Sequence, residues 1–250
     1  MELAELVAAA LSEDVGPGDV TTESCVPEEA VAAASITAKQ GITVSGHAAA
    51  RETFRQLGAV YDVCIEDGDF AQNGDTISRV SGPARALLTA ERTALNFLMH
   101  LSGIATHTCN VVAKAGGLQV VDTRKTTPVL RPLEKAAVRH GGGGNHRMAL
   151  HDAILIKENH IMAAGSLERA VEKARTRSGQ LQLQVEVEDL DQLMRAVRAG
   201  ADAVLLDNMS DATLKEAVRL AKGKLMLEAS GSMTAERVAA LSRIGLDRVS

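Results

Sequence analysis

The stretch LQLQVEVEDLDQLMRAVRAGADAVLLDNMSDATLKEAVRLAKGKLMLEASGS, Leu181–Ser232, alternates short apolar runs with longer amphipathic segments. The runs LQLQVEVED, ADAVLLDNM and KLMLEASGS have the length and apolar character of β-strands. Between them, LDQLMRAVRAG and DATLKEAVRLAKG repeat apolar residues with helical spacing. Strand–helix alternation of this kind predicts a parallel sheet whose strands are joined by helices.

The same rhythm extends outward from about Leu118 to the last residues. Further strands are predicted at LQVVDTRKT, DAILIKENH and LDRVS, and further helices at PLEKAAVRHG, SLERAVEKARTRSG and TAERVAALSRIG. Ser166 and Thr234 stand where helix N-caps belong. Glycines that can stop a helix follow the last four helices: Gly179, Gly200, Gly223 and Gly245. Six predicted strands favour a TIM-like β/α barrel over a small open sheet.

Residues 1–105 follow a different pattern. After an amphipathic helix at MELAELVAAALSEDVG, the runs AAASITAKQGITVSG and AVYDVCIEDGDFAQNGDTISRVSG place Asp-Gly and Asn-Gly turn signals between apolar positions. GHAAARETFRQLG and ALLTAERTALNFLMHLSG are predicted helices. We therefore expect an N-terminal α+β sandwich domain with an antiparallel sheet over residues 1–105. An incomplete TIM-like β/α barrel that carries the active site is expected over residues 106–250.

The composition argues against several classes of protein. With 46 % hydrophobic residues the chain of 250 can bury a sizeable core. A net charge of −5 and 2 % aromatic residues argue against general nucleic-acid binding. The sequence contains no run of about 18 apolar residues, so we expect no membrane-spanning helix. Cys25, Cys64 and Cys109 form no CxxC pair, which predicts buried thiols in a reducing, cytoplasmic compartment.

Polar side chains follow successive predicted strands at the same end. In a parallel β/α barrel the functional residues occupy the carboxyl ends of the strands. Strand by strand, the residues found there are Arg124 and Lys125; Lys157, Glu158, Asn159 and His160; Glu186 and Glu188; Asp207 and Asn208; and Glu228, Ser230 and Gly231. One charged residue after a strand usually lies in a solvated loop, but five successive strands with this feature predict a pocket.

The charges in this predicted pocket are segregated. The segment DTRKTTPVLRPLEKAAVRHGGGGNHRM, Asp122–Met148, is strongly basic in an acidic chain. The cations expected to face the pocket are Arg124, Lys125, Arg147 and Lys157, and the carboxylates are Glu186 and Asp207. Because a guanidinium can bind both oxygens of a carboxylate or phosphate, we expect a ligand that is strongly anionic at one end. Its other end would carry hydroxyls, a metal ion or a developing positive charge.

The glycine run GGGGNHR matches neither the dinucleotide-binding GxGxxG pattern nor the phosphate-binding GxxxxGK[ST] pattern. Because Asn145 follows it directly, we interpret it as a turn that carries His146 and Arg147 into the pocket. A purely structural role for His146 stays open. The histidines lack the spacing of a metal site such as HExxH, so no zinc site is predicted.

Several long motifs occur in a fixed order: SEDVGPGDVTT (12–22), ERTALNFLMHLSGIAT (91–106), DTRKTTPVLRPLEKAAVRHGGGGNHRMALHDAILIKENHI (122–161), VEVEDLDQ (185–192), LLDNMS (205–210) and LEASGSM (227–233). Over nearly the whole chain they resemble the motifs of the quinolinate phosphoribosyltransferase family, the carboxylating nicotinate-nucleotide pyrophosphorylases. The resemblance implies a pentosyltransferase of de novo NAD biosynthesis. Such an enzyme converts quinolinate and phosphoribosyl pyrophosphate, with Mg²⁺, into nicotinate mononucleotide, carbon dioxide and pyrophosphate.

The resemblance also implies the roles of individual residues. The implied lining of the substrate pocket is Thr123, Arg124, Lys125, His146, Arg147 and Lys157, with Ser230, Gly231 and Ser232 at the phosphate. Glu186 and Asp207 correspond to carboxylates near the ribose hydroxyls and, indirectly, the metal. Arg92 corresponds to a residue that reaches the active site of the neighbouring subunit, which implies a homodimer or larger homo-oligomer.

The chemistry of this reaction agrees with the residue types. Loss of pyrophosphate develops positive charge on the ribose ring, which carboxylates such as Glu186 and Asp207 can stabilise. The pyridine nitrogen attacks and becomes a pyridinium, which is the electron sink for loss of the adjacent carboxylate. Since no covalent nucleophile is required, Lys125 and Lys157 are interpreted as charge partners. These two lysines and the two carboxylates are the predicted catalytic residues.

The sequence departs from the family's pattern in three places. Val129 and Ser232 each stand where the family usually has Gly, which we expect to reshape a loop slightly without removing a charged group. The sequence also ends at LDRVS, where the family continues with a glycine-containing phosphate loop and a closing segment. We therefore expect the natural gene product to be longer.

Three alternatives stay open at this level. A Schiff-base aldolase or phosphosugar enzyme on the same fold would use Lys125 or Lys157, and borohydride would trap its adduct. A molybdenum-utilisation relative of the same superfamily is disfavoured by the intact TRKTTP and GGNHR segments. A non-catalytic anion-binding or sensor protein would bind ligands without turnover.

Overall fold

The computed structural model describes residues 1–250, the side chain at position 178 excepted, and its contacts divide the chain into two units. Unit 1 contains Met1–Cys109 and Thr126–Gly142, and unit 2 contains Asn110–Lys125 and Gly143–Ser250. The domain boundary predicted after residue 105 falls inside one long helix, Ala84–Lys114. The units are not consecutive along the chain, because residues 126–142 belong to the first.

Unit 1 has the α+β architecture that the sequence predicts. Its helices are α1 (Leu3–Val15), α2 (Val20–Cys25), α3 (His47–Gln56), α4 (Ala84–Lys114) and α5 (Arg131–His140). Its strands are β1 (Val31–Thr37), β2 (Ile42–Thr43), β3 (Val60–Val63), β4 (Phe70–Ala71) and β5 (Thr76–Pro83). An antiparallel sheet of order β1-β5-β3 packs apolar side chains against α3 and α4, and β2 pairs antiparallel with β4.

Helix α5 packs within unit 1, whereas the sequence predicts PLEKAAVRHG as a helix of the barrel. Its Ala137 is fully buried with Leu101 and Ala105 of α4. The chain then passes so close to α4 that a Cβ atom on Gly141 would lie 2.4 Å from the carbonyl oxygen of Ala105. The first glycine of GGGGNHR therefore serves this packing, because only a residue without a side chain fits there.

Unit 2 is a parallel sheet with helices between its strands. Its strands are β6 (Gln119–Val120), β7 (Ile154–Ile156), β8 (Leu183–Val187), β9 (Ala203–Asp207), β10 (Met226–Ser230) and β11 (Arg248–Val249). Its helices are α6 (Glu158–Ala164), α7 (Leu167–Ser178), α8 (Leu190–Ala199), α9 (Asp211–Ala221) and α10 (Ala235–Leu241). The strand order β6-β11-β10-β9-β8-β7 is that of a barrel opened between its first two strands. The predicted incomplete β/α barrel is therefore confirmed.

The alternation of residues along these strands separates a packing face from a cavity face. In β8, Leu183, Val185 and Val187 are fully buried in the apolar core that the helices cover. Gln184 and Glu186 lie between them and point to the opposite face, because successive side chains of a strand alternate. The same alternation places Asp207 of β9 and Glu228 and Ser230 of β10 on the cavity face. The alternation of side chains that forms the apolar core therefore also forms the cavity.

Helix ends in unit 2 are largely those predicted. The side chains of Ser166 and Thr234 accept hydrogen bonds from backbone N–H groups as N-caps, and Gly200 ends α8 in the left-handed conformation. Gly179 directly follows α7 with a positive φ of 58° but without left-handed helical ψ. Gly223 and Gly245, in contrast, lie beyond the actual ends of α9 and α10, at Ala221 and Leu241.

One helix of unit 2 contradicts the prediction of a continuous strand at DAILIKENH. The strand β7 ends at Ile156, and α6 begins at Glu158. Lys157 is the N-cap of α6 with extended backbone, and its N–H donates to Nδ1 of His160 at 3.0 Å. The hydrogen bond gives the N–H of Lys157 a partner within α6, whereas in a longer strand this N–H would need a partner on a neighbouring strand.

The three cysteines are free and exposed, so the prediction that they are buried is wrong. Cys25 ends α2, Cys64 follows β3, and Cys109 lies on the outer side of α4, positions from which a side chain does not reach the core. Within the described part of the chain, the length and apolarity that a membrane crossing demands are found in no helix.

Candidate active site

The carboxyl ends of the strands in unit 2 surround a cavity of about 640 Å³, a size typical of small-molecule sites. The predicted site residues that line it are Thr123, Arg124, Lys125, His146, Arg147, Lys157, Glu186, Asp207, Ser230, Gly231 and Ser232. Arg92 is absent from the lining and is exposed on α4 of unit 1. The fold thus gathers the separate strand ends of the sequence into one cavity.

Cationic side chains occupy one side of this cavity. Burial lowers the pKa of Arg147, and the nearby charge of Arg124 lowers it further, so the two guanidinium groups act on each other. Arg147 also donates from Nη1 to the backbone oxygen of Ala153 at 3.2 Å. Next to Arg124, the N–H of Lys125 donates to Oγ1 of Thr123 at 3.0 Å. A guanidinium stays protonated at neutral pH, so this side of the cavity attracts anions.

Two carboxylates, Glu186 and Asp207, lie at the ends of the neighbouring strands β8 and β9. Nζ of Lys157 donates to Oε2 of Glu186 at 2.5 Å. Asn208 donates from Nδ2 to Oδ2 of Asp207 at 3.0 Å. Nζ of Lys157 is engaged by a carboxylate, whereas a nucleophilic lysine needs a nitrogen that is free to attack. The pairing therefore suits Lys157 to charge compensation.

A buried floor, formed by His146, Gln184, Glu228 and Arg248, lies beneath these groups. Nε2 of His146 is 2.9 Å from Oε1 of Gln184, and Nε2 of Gln184 donates to Oε2 of Glu228 at 2.9 Å. Nε of Arg248 donates to the same oxygen of Glu228 at 2.6 Å. The opposite charges of Glu228 and Arg248 compensate each other, and the shared hydrogen bonds hold all four side chains in place.

The hydrogen bonds of His146 fix its tautomer. Its Nδ1 accepts from the backbone N–H of Arg147 at 2.8 Å. Nε2 therefore carries a proton, which faces Oε1 of Gln184 at 2.9 Å and Oε2 of Glu228 at 3.5 Å. Both ring nitrogens are thus engaged within the protein, and His146 is suited to hold the segment that carries Arg147.

The carboxyl group of Glu228 is ionised within the floor. Burial alone would raise the pKa of Glu228, but hydrogen bonds from His146, Ser250 and Gln184 and the charge of Arg248 outweigh it and lower the pKa to about 2. Its other oxygen, Oε1, is buried and has no hydrogen-bond partner among the described residues. Since Glu228 lines the cavity, Oε1 is available to accept a hydrogen bond from a ligand or an ordered water.

The turn that carries His146 and Arg147 is anchored to the end of β6. Asp122 accepts from the N–H of His146 through Oδ1 at 2.9 Å and from Nδ2 of Asn145 through Oδ2 at 2.6 Å. Gly144 forms a parallel bridge with Val121 in the opening between β6 and β7. The glycine-rich turn therefore delivers the two residues to the cavity, as the sequence predicts.

The residues predicted to bind phosphate form the turn after β10. Gly231 and Ser232 both have positive φ, 99° and 47°. Turns with such backbone can direct successive N–H groups toward one anion. This turn follows β10, whereas Arg124 and Lys125 follow β6 and Lys157 follows β7, so groups that can bind anions reach the cavity from several strands.

The donor set for a metal ion is sparse. Among the described residues, no group of three or more His, Cys, Asp or Glu side chains is suited to hold a metal. Glu186 and Asp207 provide two carboxylates, one of them paired with Lys157. Mg²⁺ is commonly bound by one or two carboxylates together with water and substrate phosphates. These residues therefore fit a Mg²⁺ ion that enters with a phosphorylated substrate.

Several cavity residues were not predicted as site residues. They are Leu155, Leu205 and Ser250 in the lining, and Gln184 and Arg248 in the buried floor. Asn208 and Glu228, which the strand-end pattern places at the predicted pocket without a role, also line the cavity. Strand period alone could have found part of this set, because Gln184 precedes Glu186 by two positions and so shares its face. Arg248 gives no such signal, since its strand is only two residues long.

Comparisons with known protein families match both parts of the chain. The family model described as "Quinolinate phosphoribosyl transferase, N-terminal domain" matches residues 19–102, and the model of the C-terminal domain of the same family matches residues 104–250.

Individual relatives agree with these matches. The chain is 40 % identical over 255 residues to a probable nicotinate-nucleotide pyrophosphorylase [carboxylating] of Bacillus subtilis, covering 100 % of this chain and 88 % of the relative. It is 38 % identical over 253 residues to the nicotinate-nucleotide pyrophosphorylase [carboxylating] of Mycobacterium leprae, covering 97 % and 89 %. The solved structure of the nicotinate-nucleotide pyrophosphorylase from Francisella tularensis superimposes with a TM-score of 0.95 at 38 % identity, covering 99 % and 89 % of the two chains.

Proposed function

Because this chain belongs to the quinolinate phosphoribosyltransferase family, we propose that the cavity at the strand ends of unit 2 is its active site. The chain is a decarboxylating pentosyltransferase of NAD biosynthesis. It converts quinolinate and phosphoribosyl pyrophosphate into nicotinate mononucleotide, carbon dioxide and pyrophosphate. The observation that carries the assignment of the site is the single cavity lined by every predicted substrate-contacting residue except Arg92.

The cationic side of the cavity binds the two carboxylates of quinolinate. Arg124 and Arg147 already act on each other electrostatically without a ligand, and an anion between them relieves this repulsion. Each guanidinium can bind both oxygens of a carboxylate, and Lys125 adds a further positive charge. Held in this way, the pyridine ring presents its nitrogen to the sugar.

The opposite side receives the phosphoribosyl donor. The pyridine nitrogen forms a bond to the anomeric carbon of the ribose while the bond to pyrophosphate breaks, and the leaving group keeps that electron pair. Glu186 and Asp207 stabilise the positive charge that develops on the ribose ring. The 5′-phosphate binds the turn Ser230–Ser232 through its backbone N–H groups.

Decarboxylation follows from the pyridinium formed in the first step. The carboxylate next to the ring nitrogen leaves as carbon dioxide, and its bonding electrons are accommodated by the positively charged ring. A proton then replaces it on carbon. Lys125 and Lys157 act as charge partners in this account, and the ion pair of Lys157 with Glu186 supports that role.

Three further properties belong to the proposal. Glu186 and Asp207 would hold Mg²⁺ together with the pyrophosphate group, whose negative charge the ion neutralises. Arg92 would serve the cavity of a neighbouring subunit in a homodimer or larger homo-oligomer, which is supported by its exposure on α4. The cytoplasmic location predicted from the cysteines stays a prediction.

A turnover assay tests the proposed function. The protein is mixed with quinolinate, phosphoribosyl pyrophosphate and Mg²⁺, and nicotinate mononucleotide and carbon dioxide are measured together. We expect both products in equal amounts and no adduct on borohydride treatment. Binding of both substrates without either product would instead support an anion-binding protein, and a borohydride-trapped lysine would support a Schiff-base enzyme.

A further inference from the structure

Arg237, which lies outside the cavity, joins the loop that follows Asp207 to the turn that is proposed to bind phosphate. Arg237 of α10 donates from Nη1 to the backbone oxygen of Gly231 at 2.9 Å and from Nη2 to the backbone oxygen of Met209 at 2.7 Å. Gly231 belongs to the turn after β10, and Met209 to the loop after β9. A planar guanidinium with several donors can bridge two carbonyl groups in a fixed geometry, which a lysine cannot reproduce.

The two loops also interlock on the side of the cavity. The N–H of Asn208 donates to the backbone oxygen of Ser230 at 3.0 Å, while its side chain holds Asp207. A Cβ atom on Gly231 would lie 2.1 Å from Oδ1 of Asn208, so the turn packs directly on this side chain. Any change in the separation of the two loops therefore changes the distance between Asp207 and the phosphate turn.

Arg237 is well placed to control that separation without contacting a substrate. Its side chain is one quarter exposed and is not part of the cavity lining. Its backbone N–H donates to Oγ1 of Thr234, the N-cap of α10, which fixes the start of the helix close to the turn. The nearest carboxylate to Nε, on Asp211, is 4.0 Å away, so the two carbonyl groups are its closest contacts.

We propose that Arg237 is a positioning residue that holds Asp207 and the turn Ser230–Ser232 at the separation that the phosphoribosyl donor requires. The proposal rests on the proposed function, since it assigns the ribose and phosphate to these two loops. Without the guanidinium, the loops keep the pairing of Asp207 with Ser230 in the sheet, the hydrogen bond of Asn208 to Ser230 and the packing of Gly231 on Asn208, but they lose the bridge from Gly231 to Met209. The quinolinate side, formed by Arg124, Lys125 and Arg147, lies on other parts of the chain and keeps its geometry.

The variant Arg237→Ala tests this selectivity. We expect the KM for phosphoribosyl pyrophosphate to rise about tenfold, the scale of losing hydrogen bonds from a charged group. The KM for quinolinate is expected to stay within about twofold of the wild-type value. Arg237→Lys should fall between the two proteins, because an ammonium group can reach one carbonyl but does not span both.

Arg195→Ala is a matched control, because Arg195 also makes two hydrogen bonds that join separate elements. It contacts both oxygens of Glu168, between α8 and α7, and one third of its side chain is exposed. We expect a similar change in melting temperature for both alanine variants, but an increased KM for the donor only for Arg237→Ala. Guanidinium chloride at low millimolar concentration should partly restore donor binding to Arg237→Ala, and sodium chloride should not.

Two results would overturn the proposal. One is an Arg237→Ala protein with the donor KM of the wild type. The other is an equal loss of affinity for both substrates that follows the loss of stability, which would make Arg237 a residue of the fold alone. A wild-type protein that neither binds the donor in calorimetry nor turns over would overturn the proposed function itself, and with it this role.

Discussion

Nε2 of His146 lies 2.9 Å from Oε1 of Gln184, on the buried floor of the cavity. The other ring nitrogen accepts from the N–H of Arg147. Gln184 of strand β8 thus holds His146, and His146 holds the backbone of Arg147. These two bonds determine where the glycine-rich turn places Arg147 in the cavity. Gln184 in turn holds Glu228, so the position of Arg147 depends on residues that contact no substrate in the proposed mechanism.

Replacing Gln184 by Leu should therefore destabilise unit 2. The substitution leaves buried polar atoms of His146, Glu228 and Arg248 with fewer partners, and each such loss costs about 1–3 kcal/mol. Urea unfolding measures the effect. Gln182→Leu is the control, since Gln182 is exposed just before the same strand and should change the free energy of unfolding by less than about 0.5 kcal/mol. Equal effects of the two substitutions would show that the floor does not stabilise the unit.

Glu228 should make the stability of the protein depend on acid pH. Its pKa is lowered from an ordinary value of 4.5 to about 2 in the folded state. The ionised carboxylate therefore stabilises the fold fully above about pH 4.5, and this contribution is lost as the pH falls toward 2. For a fully buried group the shift corresponds to roughly 3 kcal/mol.

The variant Glu228→Gln isolates this contribution. At pH 7 it should be less stable than the wild type, because it also leaves the buried charge of Arg248 without its partner. The difference in the free energy of unfolding should narrow as the pH falls from 4.5, which denaturant titrations at a series of pH values can follow. A difference that stays constant with pH would contradict the ionised state of Glu228.

Val129→Gly should stabilise the protein. Val129 has a φ of 63° and is exposed, and a left-handed conformation costs a residue with a Cβ atom roughly 1–2 kcal/mol. Glycine avoids this cost but loses more entropy on folding, so we expect a net gain of about 1 kcal/mol. Val129→Ala, which removes the same exposed methyl groups but keeps Cβ, should gain less. Thermal unfolding that ranks alanine above glycine would argue against a strained backbone at this position.

The proposed sharing of the active site between subunits has a quantitative test. Arg92→Ala and Lys157→Ala are each expected to be inactive alone. After mixing and subunit exchange, about half of the dimers are hybrids with one intact site of two, so about a quarter of wild-type activity should return. Mixing Lys157→Ala with Lys125→Ala is the control, because both residues line the cavity of their own chain and no intact site can form. Equal recovery in both mixtures would refute the sharing.

The sequence predicts the barrel and most of the cavity for one physical reason. In β8 and β10 the apolar positions that pack on helices alternate with largely polar positions, β9 ends in the polar Asp207, and the carboxyl ends of parallel strands meet at one edge. A local pattern therefore carries information about a site formed by distant residues. Val129 and Ser232 both have a positive φ, a backbone conformation that glycine adopts most readily and that their own side chains do not predict.

The features that the sequence did not predict depend on contacts between distant residues. The place of α5 is decided by the close approach of Gly141 to Ala105, which no local pattern encodes. The start of α6 depends on the bond between Lys157 and His160, which the strand-like composition of DAILIKENH conceals. The bridge made by Arg237 joins backbone carbonyl groups of two loops. Because every residue has a backbone carbonyl group, no residue type in the sequence indicates which ones Arg237 contacts.

The most direct test of the assigned active site is the activity of Lys125→Ala beside that of Lys215→Ala, an exposed lysine of α9 outside the cavity. Formation of nicotinate mononucleotide is measured at saturating phosphoribosyl pyrophosphate and varied quinolinate. We predict that kcat/KM falls by about a hundredfold or more in Lys125→Ala, the scale of losing one group that stabilises charge in the reaction, and is unchanged in Lys215→Ala. Full activity of Lys125→Ala, with its fold confirmed, would contradict the assignment of the cavity.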